Sequence, residues 1–167
     1  MKILKTRAMI LILTAVLAGL PAVVTTAEDV RLAPSFNIPN ISGGRAISLD
    51  QFQGNVIYVD FWASWCGPCL KSFPYMEGLH QKYSGKGLVI IAINMDQSPQ
   101  DAHDFLKDHP VTFLVGKNPA GDVAEQYEVM AMPTSYIVDR AGLIQEVHYG
   151  FKSSDTEKIA ALIEKLL

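Results

Sequence analysis

Only two cysteines occur among the 167 residues, so there is no second pair to complete a four-thiolate zinc site. Histidines are sparse as well. His80, His103, His109 and His148 are scattered along the chain and read as surface positions rather than a shared site. Basic residues number 14 against 17 acidic and form no patch, which excludes a nucleic-acid-binding surface. Internal repeats and low-complexity linkers are absent. A long apolar run occurs once, from Ala8 to Leu20, and it is shorter than the about 20 residues a spanning helix needs.

That run follows Lys2, Lys5 and Arg7 and leads through Pro21 to Thr25-Thr26-Ala27. A basic start, an apolar core and a small-residue end make residues 1–27 a predicted secretory signal, cleaved after Ala27. Carried through Val24, the run becomes a marginal span containing Thr14 and Pro21, so an uncleaved N-terminal anchor is the alternative. Residues 28–167 form one domain on this reading, in the periplasm or an equivalent extracytoplasmic compartment. Loss of the leader leaves 11 basic residues against 17 acidic, a net charge near −6 that serves solubility.

What the chain does have is one dense stretch, Val59-Asp60-Phe61-Trp62-Ala63-Ser64-Trp65-Cys66-Gly67-Pro68-Cys69. Val56 to Trp62 is β-branched or aromatic almost throughout, the pattern of a strand buried on both faces. Asp60 is the exception. A carboxylate in such a strand is costly unless neutralised or paired, so its pKa is expected to rise by desolvation. The cysteines follow at the start of a helical pattern. Unpaired N–H groups and partial positive charge at a helix N-terminus favour a thiolate, which makes Cys66 the expected nucleophile. Cys69 lies about one turn further on the same face, within disulfide reach. A bond across two intervening residues closes a very small loop and adds little to stability, so its use lies in being made and broken. Half of a zinc site is the competing reading of an isolated Cys-x-x-Cys pair.

The run from Asp60 to Cys69 resembles the active site of thioredoxin, including Trp62, Trp65, Gly67 and Pro68. The layout from about Ala33 to Leu166 resembles the extracytoplasmic thioredoxin-like proteins of the TlpA and ResA type, which serve cytochrome c maturation and related thiol reductions. The resemblance implies an α/β, thioredoxin-like fold: a central mixed β-sheet flanked by helices, with an N-terminal hairpin and a central helix–strand insertion. It implies a thiol–disulfide oxidoreductase that reduces protein disulfides through Cys66 and Cys69, with Asp60 as acceptor of the Cys69 proton. A merely structural, hydrogen-bonded carboxylate is the alternative for Asp60.

Met132-Pro133-Thr134 resembles the cis-proline loop that faces the cysteines in this fold, the alternative being an ordinary trans turn. In the cis form it would offer the Met132 backbone to an extended substrate segment. Trp65, Gly67 and Pro68 are expected to meet partners, and Trp62 to lie in the core. Two departures stand out. Ala92 takes the place of a thioredoxin lysine near the acid, which should leave Asp60 more protonated. Ser72 stands where cytochrome c maturation members often carry glutamate.

The implied partners are disulfide-containing proteins and a membrane electron donor that re-reduces the chain, itself a monomer. No resident metal is expected, and no cofactor beyond the redox-active disulfide. The rivals are a disulfide oxidase and a Cu(I)-binding metallochaperone using both thiolates with Met132 or a histidine. A peroxidase ranks last, because Cys66 lacks a Pro-x-x-x-Thr-x-x-Cys setting.

Elsewhere the pattern predicts an extended segment over Arg31–Asn40, a hairpin over Ile41–Ser48 around Gly43-Gly44, and a helical turn at Leu49–Phe52. A helix is expected from Pro68 to Tyr83, apolar at Leu70, Phe73, Met76 and Leu79 and kinked at Pro74. A strand over Leu88–Met95, a helix over Ser98–His109 capped by Ser98, a strand over Val111–Val115 and a short helix over 119–128 follow. Strands at Ser135–Val138 and Leu143–Tyr149 flank the turn Asp139-Arg140-Ala141-Gly142. Ser154 and Glu157 suggest a capping box for a last helix with Ile159, Leu162, Ile163 and Leu166 on its buried stripe.

Overall fold

A small antiparallel hairpin comes first in the computed structural model, which describes residues 31–167. Strands β1 (Asn37–Ile38) and β2 (Ile47–Ser48) pair across a loop where Gly43 and Gly44 hold φ of 81° and 82°. Side chains avoid that region, so the glycines set the turn. The first arm comes from the segment expected to be only extended, because Phe36 and Ile38 bury themselves against the sheet. After a 3-10 turn at Leu49–Phe52, β3 (Val56–Trp62) is buried at every residue.

Helix α1 (Cys69–Tyr83) runs through Pro74 as one element and gives way to a 3-10 turn at Ser84–Lys86 and to Gly87 at φ 102°. Phe73, Met76 and Leu79 are buried as expected, whereas Leu70 is exposed in the first turn. Next come β4 (Leu88–Asn94) and α2 (Pro99–Asp108), whose first turn has no side-chain cap from Ser98.

Strand β5 (Leu114–Lys117) begins later than Val111 for a tertiary reason. Thr112 donates through its N–H (2.8 Å) and hydroxyl (2.7 Å) to Glu77 of α1, and Phe113 turns into the core. Those residues are therefore tied to the helix instead of the sheet. The short α3 (Asp122–Gln126) is narrower than 119–128, bounded by Gly121 at φ 79° and Glu128 at φ 59°.

Strands β6 (Thr134–Val138) and β7 (Ile144–Tyr149) close the sheet, and α4 (Thr156–Leu166) ends the chain. The capping box does not form. Residues Ser153–Asp155 tighten into a 3-10 turn, with Ser154 donating to the Asp155 carboxylate and Thr156 to the Ser153 carbonyl.

The five-stranded sheet has the order β5-β4-β3-β6-β7, with β3, β4 and β5 parallel and β6 and β7 antiparallel. This is the mixed, helix-flanked sheet of a thioredoxin-like fold, with the expected hairpin before it and the inserted α2–β5 pair in its middle. Alternation along β3 divides the interior. Tyr58 and Trp62 face a layer with Phe73, Met76, Phe105 and Ile159, while Ile57, Val59 and Phe61 face the hairpin, α3 and Tyr127. Among the described residues no helix is long and apolar enough to cross a membrane. The predicted signal at residues 1–27 lies outside the described residues.

Candidate active site

The carboxyl edge of a parallel strand pair is where an α/β sheet presents functional loops, and here β3 and β4 end together. The Met95 N–H donates to the Trp62 carbonyl at 2.9 Å. Asp96, nearly buried, then accepts from the Ser64 N–H at 3.0 Å, the Ser64 hydroxyl at 3.0 Å and the Asn94 amide at 2.8 Å. This carboxylate clamps the loop that carries the cysteines. Sequence reasoning passed over Asn94 and Asp96, although two polar residues flanking Met95 straight after an apolar strand were a signal. Replacing Asp96 by alanine strips three donors of their acceptor and is expected to cost about 2 kcal/mol. Denaturant unfolding checks that loss, and thiol exchange at Cys66 should slow with it.

Beyond the clamp the loop turns sharply. The Cys66 N–H donates to the Ala63 carbonyl at 3.1 Å, and the Cys69 N–H to the Cys66 carbonyl at 3.0 Å. Cys66 thus sits one turn ahead of α1, which begins at Cys69. The two sulfurs are joined in a disulfide with Cα atoms 5.3 Å apart. Cys66 is 4% exposed and Cys69 0%, so a partner can reach only the first. Around it Trp65 is 71% exposed, and Gly67, Pro68 and Leu70 are also open to solvent. Trp62 is core as expected, its ring 4.7 Å from Phe73 and 4.8 Å from Phe105.

Asp60 lies on the cysteine-bearing face of β3, between Tyr58 and Trp62. It is fully buried, and neither carboxyl oxygen has a hydrogen-bond partner. Across β4 its register partner is Ala92, and across β6 it is Ser135. Burial pushes the Asp60 pKa up to about 8, against a smaller lowering by the neighbouring Ser135 hydroxyl, which is close by without making a hydrogen bond. Among the described residues no cation is among the causes of that shift.

The Met132–Pro133 peptide is cis. Its loop is held by the Gly150 N–H donating to the Pro133 carbonyl at 2.7 Å and by Thr134 donating to the Ala131 carbonyl at 2.7 Å. Pro133 is buried, while Met132 is half-buried against the layer that holds both cysteines.

The remaining candidates stay apart. His80 packs on Phe113, His109 on Phe105, and His148 lies 3.8 Å from Glu146. Met76 is core, Met95 packs on the opposite layer, and Met130 is exposed. Among the described residues no three of His, Cys, Asp and Glu converge as a metal-binding group. Three cavities of about 420, 410 and 240 Å³ lie elsewhere, and none is lined by Cys66, Trp65, Met132 or Pro133.

A family model described as Redoxin matches residues 28–163. The chain is similar to thiol-disulfide oxidoreductase ResA of Bacillus thuringiensis subsp. konkukian, 36% identical over 116 residues that cover 69% of this chain and 66% of that protein. It spans just under two thirds of that relative's length. ResA of Bacillus anthracis is 30% identical over 134 residues, covering 80% of this chain and 76% of that protein. Among solved structures, a protein assigned as thiol:disulfide interchange protein DsbE from Chlorobium tepidum is 40% identical with a TM-score of 0.78, over 81% of this chain and 94% of that one.

Proposed function

The chain belongs to the Redoxin family, and we propose that within it the protein is an exported thiol–disulfide oxidoreductase that reduces disulfides in partner proteins. The observation that carries this reading is the Cys66–Cys69 disulfide, with only Cys66 touching solvent and an unpaired carboxyl buried on the same face of β3.

In the reduced protein the Cys66 thiolate attacks one sulfur of a partner disulfide. The partner S–S bond breaks, a Cys66–partner bond forms, and the leaving sulfur departs as a thiolate and takes a proton. Asp60, in its ionised fraction, accepts the proton of Cys69. The Cys69 thiolate then attacks Cys66 sulfur, closing the intramolecular disulfide and releasing the second partner sulfur as a thiolate. Two electrons pass to the partner. The exposed Trp65, Gly67 and Pro68 and the Met132–Pro133 loop offer the docking surface for a segment of that partner.

Catalytic turnover needs two electrons returned to Cys66–Cys69, which in an exported protein implies a membrane dithiol donor. The chain works as a monomer on this reading. Export rests on the leader pattern at residues 1–27. Cytochrome c maturation is the finer role, supported by the resemblance to the ResA type, and Ser72 in place of glutamate weighs against it.

Direction is testable by equilibrating Cys66–Cys69 against glutathione. A potential nearer the about −270 mV of thioredoxin than the about −120 mV of DsbA is expected of a reductase. A value at the DsbA end would make the protein an oxidase.

A further inference from the structure

Among the described residues Asp60 faces no lysine, arginine or histidine, yet a hydroxyl stands directly across the β3–β6 register from it. That hydroxyl, on Ser135, is not free to turn. The Tyr58 hydroxyl donates to Ser135 Oγ at 2.9 Å, and both residues are buried. Burial, and then negative charge at Asp60, hold the Tyr58 pKa above the ordinary tyrosine value, so Tyr58 is a permanent donor. A serine hydroxyl has a single proton. With its oxygen already accepting from Tyr58, Ser135 has that proton left to offer elsewhere, and Asp60 is the buried acceptor with no partner.

We propose that Tyr58 and Ser135 form a hydroxyl relay that aims the Ser135 proton at Asp60 and so stabilises the ionised carboxylate that receives the Cys69 proton. Ser135 is then a positioning residue that does the work left undone by the small, uncharged Ala92. The relay rests on the reading of Asp60 as proton acceptor. Its parts fit the chemistry: the β3–β6 register sets Ser135 opposite Asp60, and the Tyr58 hydroxyl occupies the Ser135 oxygen, leaving the Ser135 proton for the carboxyl.

The groups facing Asp60 are few. Tyr58 shares its strand, the Cys66–Cys69 disulfide caps the same face from the start of α1, β4 presents Ala92 and β6 presents Ser135. Tyr75 of α1 acts on Tyr58 rather than on Asp60, and no charged group of α2 or α4 perturbs the carboxyl.

The test is the titration of the Asp60 carboxyl carbon, followed by NMR in the full oxidised chain, with Asp60→Asn to assign the signal. Ser135→Ala is expected to raise the midpoint by about one pH unit, a tenfold change in the ionisation constant. Tyr58→Phe, which keeps the ring packing, should move it the same way by less, and Ser135→Thr should restore it. A purely structural Ser135 would lower stability toward denaturant and leave the midpoint in place. An unmoved midpoint in both Ser135→Ala and Tyr58→Phe overturns the relay. Alkylation of Cys69 in the reduced protein separates the two readings. If the midpoint moves and the alkylation profile does not follow it, the relay stands and the assignment of Asp60 as proton acceptor falls.

Discussion

Cys66→Ser is expected to abolish protein-disulfide reduction, by more than about a thousandfold, as removal of an attacking group does in enzymes whose nucleophile acts with its neighbours as a unit. Cys69→Ala should behave differently. It keeps the thiol that strikes the partner and loses the one that resolves the adduct, so the chain should accumulate as a mixed disulfide with one partner per molecule. The asymmetry follows from exposure: Cys66 retains 4% and Cys69 none, so the two sulfurs cannot exchange roles without opening the loop that Asp96 clamps. Non-reducing electrophoresis with mass spectrometry of the trapped adduct reads the outcome. Capture of partners by Cys66→Ala, with none by Cys69→Ala, would reverse the assignment.

Where a residue breaks a local rule, the sequence marked a place that the structure makes distinctive. Asp60 is a charge in an otherwise apolar strand, and the cysteines sit where a strand pattern turns helical. The β3 limits were legible to the residue because seven consecutive positions are buried. Legibility failed where a distant partner decides. Thr112 would have continued β5 upstream had Glu77 not taken its N–H, and Ser154 spends its hydroxyl on Asp155 rather than on a cap. Leu70 fits the helical stripe, yet it lies in the first turn beside the exposed Gly67 and Pro68. The same holds for the site. Ser64 and Asp96 are separated by 32 positions, Tyr58 and Ser135 by 77, and only the pairing of β3 with β4 and β6 makes either pair meet.

Asp60→Asn is expected to make the oxidised protein more stable and a worse catalyst at once. The carboxyl keeps its proton in the folded state up to about pH 8, whereas its ordinary value is 3.8. Between those values the unfolded chain has released a proton that the folded chain still holds, so wild-type stability falls as pH rises through the window. The asparagine variant carries no such dependence. Its advantage should therefore be near zero at pH 4, grow across the window and level off above pH 8. At about 1.4 kcal/mol per tenfold in ionisation, the ceiling is on the order of 6 kcal/mol. Denaturant unfolding of the oxidised protein from pH 4 to 9 measures this, and an advantage flat with pH would contradict a carboxyl held neutral by burial. Catalysis should move the other way. Without an acceptor for its proton Cys69 resolves the mixed disulfide more slowly, by about a hundredfold if Asp60 acts as a typical general base, while the first attack by Cys66 keeps its rate. A variant that gains stability at neutral pH and slows only the second exchange step would mark the buried acid as there for the chemistry and not for the packing.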